Sequence, residues 1–222
     1  MRFLKQIQIL LMFPCILLGQ NNLQKISSLS ELSAWKNIEG VPVVIDLQGK
    51  LKDGMIPYKE LMKLRNIYRI DLSHNELRNL NDSIFYFSRV PELRLVDCNI
   101  SDFPLPKDTF SVERLFLDFN KIDGIPRMDL YKNLKTLSLS YCKVKTWDEK
   151  WCDTKLHELY LSGNPISEYK ICRFISLKLL EVANTPISKR QLKEIKNHNP
   201  NLTIVRKIKI KHKYSNSKNR EF

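Results

Sequence analysis

The chain is expected to fold as an α/β solenoid, with a parallel β-sheet on the concave face and short helices or turns on the convex face. Three observations predict this. A frame with apolar residues at positions 1, 4, 6 and 11 returns six times, about every 22 residues. The core of each copy alternates apolar and polar residues, which is the period of a strand. Position 9 is always Asn, Cys or Thr.

The copies open at Ile67, Val90, Val112, Leu134, Leu156 and Leu177. The inward pairs that follow are Ile70/Leu72, Leu93/Leu95, Leu115/Leu117, Leu137/Leu139, Leu159/Leu161 and Leu180/Val182. Position 9 runs Asn75, Cys98, Asn120, Cys142, Asn164, Thr185. One repeat cannot bury its apolar face alone, so the copies must stack strand beside strand, about 4.8 Å apart. This frame resembles the leucine-rich-repeat family, over roughly residues 43–205. The resemblance implies that position 9 turns into the core and bonds the backbone of the turn. It also implies a scaffold whose ligands sit on the concave face and not a particular reaction. Cysteine-rich caps are lacking, which resembles the secreted bacterial-type members with 22-residue repeats.

In chain order, residues 1–19 read as a signal peptide. Arg2 and Lys5 precede an apolar run from Ile7 to Leu18, too short to span a bilayer, with cleavage expected after Gly19. Soluble export fits better than lipidation at Cys15, because Pro14 immediately precedes that cysteine. Residues 20–42 carry Leu23, Ile26, Leu29, Leu32 and Trp35 at helical spacing, so one amphipathic helix is expected to cap the solenoid. Residues 43–187 are the repeats, beginning with a degenerate copy at Val43, Ile45 and Leu47. Between strands, Tyr58–Leu64 looks helical, and Trp147 and Trp151 are expected to pack on the convex side. Residues 188–205 form a C-terminal cap: a lysine-rich helix with Leu192 and Ile195, then a strand with Leu202 and Ile204. Residues 206–222 are a basic tail whose alternating start would extend the last strand as a charged edge.

The formal charge is +13, and the tail supplies seven Lys/Arg against one Glu. Such a tail suits an anionic glycan or lipid. That gives an alternative function, an envelope- or glycan-tethered structural protein acting through the tail. Export argues against nucleic acid as a partner. Cys98 and Cys142 lie two repeats apart, roughly 10 Å by strand spacing and too far to pair. Cys152 and Cys172 fall at different registers and are expected as buried free thiols, with a disulfide between them as the alternative.

No catalytic constellation is present. His74, His157, His198 and His212 have no metal-ligand spacing, and no nucleophile-elbow, zinc-protease or phosphate-loop motif occurs. The expectation is a non-enzymatic chain with no cofactor or metal. Positions 3, 5, 7 and 8 of each repeat point out from the strands onto the concave face. They bring Phe116, Phe119, Tyr141 and Tyr160 to its middle, with Arg69, Asp71, Arg94, Arg114 and Asp118 alongside. Of these, Phe119 is the residue most apt to turn into the core. Exposed aromatics beside arginine match the composition of a protein-binding patch. The sequence therefore predicts an exported protein-binding module that is secreted, periplasmic or surface-associated.

Overall fold

A computed structural model describes residues 23–36, 40–124, 127–147, 149–169 and 173–207. The expected signal peptide, Cys15, Cys172 and the tail beyond Lys207 lie outside these residues.

The alternating inward residues build one nine-stranded parallel sheet. Its order is β1 (Gln24–Ile26), β2 (Val43–Asp46), β3 (Ile67–Asp71), β4 (Glu92–Arg94), β5 (Arg114–Phe116), β6 (Thr136–Ser138), β8 (Glu158–Tyr160), β10 (Leu179–Glu181) and β11 (Thr203–Val205). A second parallel pair, β7 (Thr146–Trp147) with β9 (Glu168–Tyr169), joins the segments between those strands. From β3 onward the register keeps equivalent positions side by side. Ile70, Leu93, Leu115, Leu137, Leu159, Leu180 and Ile204 form one such row. All but Ile204 have no solvent exposure, so the sheet's inner face is the core of the solenoid.

Position 9 holds the turns. Asn120 Nδ2 donates to the carbonyls of Leu95, Leu117 and Asp118, and its Oδ1 accepts from the backbone of Cys98 and Ile100. Asn75 and Asn164 bond the turn backbone in the same manner. One buried amide thus ties two successive repeats and leaves few turn groups unsatisfied. Cys98 and Cys142 play a reduced version, each thiol donating to the carbonyl of Leu72 or Leu117 at 3.3 Å. Both are buried and free, and burial pushes each thiol up to about 12.

Two expectations need correction. The single helix over residues 20–42 is instead a strand followed by α1 (Leu29–Ala34). Residues 24–26 pair with Val43, Val44 and Ile45, satisfying the open edge of the sheet, and Ile26 is fully buried there. Ser28 then starts the helix by accepting from the Glu31 backbone. An edge strand carries backbone groups that a helix laid over it leaves unpaired, so strand pairing overrides the helical spacing. The second correction concerns Cys152, expected as a free thiol, which is disulfide-bonded; its partner lies outside the described residues.

Between strands the chain forms α2 (Tyr58–Leu61), α3 (Glu149–Cys152) and several 3-10 turns. Trp147 and Trp151 are buried in the core, as convex-side packing requires. At the C-terminus α4 (Lys189–His198) opens with a capping box between Ser188 and Gln191, and Ile195 and Leu202 close the core. The last strand stops at Val205, so among the described residues the tail does not extend it.

Candidate functional site on the concave face

The register lays the outward residues in rows across the strands. Position 3 gives Arg69, Glu92, Arg114, Thr136, Glu158 and Leu179; position 5 gives Asp71, Arg94, Phe116, Ser138, Tyr160 and Glu181. The two halves of this face differ in how their charges are met.

In the N-terminal half the arginines converge on Glu92. Arg94 Nε lies 2.5 Å from one of its carboxylate oxygens and Arg114 Nε lies 2.9 Å from the other, while Arg69 approaches to 3.6 Å. Glu92 is only 5% exposed, and its burial alone would raise its pKa. The charges and hydrogen bonds of Arg94 and Arg114 outweigh that and hold the carboxyl below the usual glutamate value. The guanidinium of Arg94 sits 4.7 Å above the Phe116 ring, and Arg114 covers the Tyr68 ring and donates to its hydroxyl. These contacts fix long side chains in place, so little conformational freedom is left to lose on binding.

The C-terminal half is floored by small hydroxyl residues and carries acids that no described cation meets. Asp118 accepts from the Ser138 hydroxyl and the Ser140 backbone. Glu158 accepts from Thr136 and Tyr160, and Glu181 accepts from Ser162. Among the described residues none of these three carboxylates has an ion-pair partner. Burial raises the Asp118 and Glu181 carboxyls, and the Asp118 charge raises Glu181 further. Burial and the same three acids push the Tyr160 phenol up, keeping it a neutral donor.

Position 8 forms the rim at the carboxyl ends of the strands. Every copy turns there with a left-handed backbone: His74, Asp97, Phe119, Tyr141, Gly163 and Asn184 have φ between 53° and 71°. This turn suits Gly and Asn; a bulky residue there costs roughly 1–2 kcal/mol. Three of the six positions nonetheless carry rings, and two of these, Phe119 and Tyr141, are large six-membered ones. Phe119 and Tyr141 stack with centroids 4.8 Å apart and planes 4° from parallel. Gly163 makes room for them, since a Cβ there would fall 2.4 Å from Tyr141 Cδ1.

Each sequence-predicted residue can now be placed. Arg94, Arg114 and Phe116 meet in the clasp around Glu92, which Arg69 borders; Asp118 and Tyr160 belong to the acidic half; Phe119 and Tyr141 form the rim stack. Phe119 does not turn into the core, being 45% exposed, because the left-handed turn aims its side chain outward. Asp71 is the exception among the nine. It is 7% exposed and accepts from the Ser73 backbone, so it braces its own turn and offers no contact surface. Sequence reasoning passed over Glu92, Tyr68, Glu158 and Glu181. Glu92 stands between Arg69 and Arg114 in its row, an alternation of sign that is visible in the repeat alignment.

The described residues contain no group of His, Cys, Asp and Glu arranged to hold a metal, and no helix long and apolar enough to cross a membrane. No protein-family model and no curated protein matches the chain. Solved structures do. A leucine-rich-repeat protein of Leptospira interrogans matches over 81% of this chain and 52% of its own, with a TM-score of 0.61 and 23% identity. An internalin of Listeria monocytogenes matches over 82% of this chain and 58% of its own, with a TM-score of 0.53 and 15% identity. The chain thus spans a little over half the length of each. The repeat geometry and these likenesses together make the fold that of a leucine-rich-repeat solenoid of bacterial type.

Proposed function

We propose that the chain is an exported, non-enzymatic binding module that holds a protein partner on its concave face. The observation that carries this reading is the Phe119–Tyr141 stack. Two large rings occupy turn positions where Asn or Gly would be less strained, and they stay at the surface. Strain of this kind is retained where a function needs the side chain. Rigid aromatic anchors beside fixed arginines, with hydroxyl residues around them, are what a protein contact uses for most of its energy. Export rests on the charged and apolar pattern of residues 1–19.

The test is a binding panel of extracellular matrix and cell-surface proteins, with anionic glycans alongside, run at low and high salt. Wild type is compared with Phe119→Asn/Tyr141→Asn and with a chain stopped after Val205. A salt-tolerant interaction lost with the rings and kept on truncation supports the concave face. Binding only to glycans, lost with the tail and with salt, overturns it in favour of a tethering role for the tail.

A further inference from the structure

Glu92 on β4 gathers more positive charge than it neutralises. Arg94 Nε and Arg69 Nη1 lie 2.5 Å and 3.6 Å from one of its oxygens, and Arg114 Nε lies 2.9 Å from the other. Asp71, beside Arg94 in the register, accepts from the Ser73 backbone and forms no ion pair among the described residues. Counting both acids against the three guanidiniums still leaves one positive charge over. We propose that this excess is a carboxylate seat, at which Arg69 and Arg94 take an aspartate or glutamate side chain of a protein partner. The inference rests on the concave-face reading above and names the chemistry of its partner at that end.

Donors are left for such a ligand. A guanidinium carries five N–H donors. Among the described residues Arg69 spends none of them, because 3.6 Å from Glu92 is beyond a hydrogen bond and its buried Nε meets no acceptor. Arg94 spends only its Nε, on Glu92. These two side chains keep 30% and 31% of their surface exposed, so a ligand reaches them; Arg114, at 17%, is committed to Glu92 and the Tyr68 hydroxyl. A planar fork that is partly desolvated and, in Arg94, held over a ring suits a carboxylate. The rest of the face selects which anion. Asp118, Glu158 and Glu181 are partly exposed on the same sheet. From β3, β8 lies four strands away and β10 five, about 19 and 24 Å. A sulfated glycan or a nucleic acid repeats its anion at every unit, so one laid across the strands runs from the arginines onto those acids. About seven extended peptide residues span the same distance and can place an acid at one end only. Charge complementarity therefore favours a protein segment that is acidic over β3 and β4 and free of acid over β8 and β10.

The experiment selects a random peptide library displayed on phage against the immobilised full chain, with a heparin oligosaccharide as a second probe. The enriched peptides should carry Asp or Glu. Exchanging that acid for its amide in the synthetic peptide leaves the protein untouched and should raise Kd at least about tenfold on wild type. On Arg69→Gln, which breaks no hydrogen bond among the described residues, the same exchange should cost no more than about threefold. An empty selection, enriched peptides without an acid, an acid whose exchange changes nothing, or a penalty undiminished in Arg69→Gln would each overturn the proposal. So would capture of the heparin oligosaccharide alone, lost in Arg69→Gln, which assigns the arginines to a polyanion. The two readings fail separately. Acid-free peptides that are lost in Phe119→Asn/Tyr141→Asn keep the partner reading and remove the carboxylate seat. Acidic peptides lost in Arg69→Gln but kept by that rim variant keep the seat and remove the rim from the partner's contact.

Discussion

The rings of Phe119 and Tyr141 lie parallel at 4.8 Å, held by two successive left-handed turns and seated over Gly163. The geometry makes Gly163 the support of the stack. Gly163→Ala meets both a positive φ and the Tyr141 ring, so it should cost at least about 1–2 kcal/mol. Chemical denaturation gives the loss, and a change in near-ultraviolet circular dichroism should report displacement of the rings.

The asparagines of the ladder should matter more than its cysteines. Asn120→Ala strands two backbone N–H groups and three carbonyls in the buried turn, and an expected loss of about 2–4 kcal/mol follows. Cys98→Ala removes only a weak thiol donor and a small volume, about 1–2 kcal/mol. A reversed order in denaturation midpoints would contradict the account of position 9.

Cys98 and Cys142, pushed up to about 12 by burial, should resist alkylation in the native chain near neutral pH and react only on unfolding. Cys152 should appear in a disulfide by non-reducing peptide mapping, and we expect Cys172 as its partner. Discovery of a free Cys152 thiol in the chain isolated without reductant would contradict this.

The two halves of the face should respond to pH in opposite directions. Glu92 has its folded pKa below the free value of 4.5, so its contribution is present above that value and is lost as pH falls through the folded one. Glu92→Gln should therefore destabilise at neutral pH, by about 1–3 kcal/mol for a buried paired acid, and less as acid is added. Asp118 and Glu181 have folded values above 3.8 and 4.5. Their contribution is full below those free values and is lost as pH rises through the folded ones. Asp118→Asn and Glu181→Gln should therefore raise the melting temperature at neutral pH, and the gain should shrink towards about pH 3.

Much of this was legible in the sequence, for physical reasons that differ between residues. The row from Ile70 to Ile204 follows from period alone, because only one register buries every inward side chain. The outward rows follow from the same register, which sets equivalent outward positions side by side. Position 9 was legible because its residue types are those that can bond a turn from inside the core. Burial within the outward rows was not legible. Asp71 and Glu92 both point outward by pattern, yet neighbouring side chains cover them, which depends on side-chain length and pairing across strands. The β1 strand was missed because Leu23, Ile26, Leu29 and Leu32 satisfy a helical period, while the deciding force is the unpaired edge of β2. The exposure of Phe119 depended on the sign of φ at position 8, which Gly163 and Asn184 in the same column hint at.

That column also supplies the most direct measurement. Phe119→Asn/Tyr141→Asn puts at both rim positions the residue that Asn184 already shows to fit the left-handed turn. The substitution removes the rings while relieving backbone strain, so the melting temperature should hold or rise. Titration against the panel protein that wild type binds should then show a loss of about 2–4 kcal/mol, or roughly 30- to 1,000-fold in Kd. If the variant is folded and binds as tightly as wild type, or wild type binds no protein at all, the concave rim is not the binding site and the central claim is wrong.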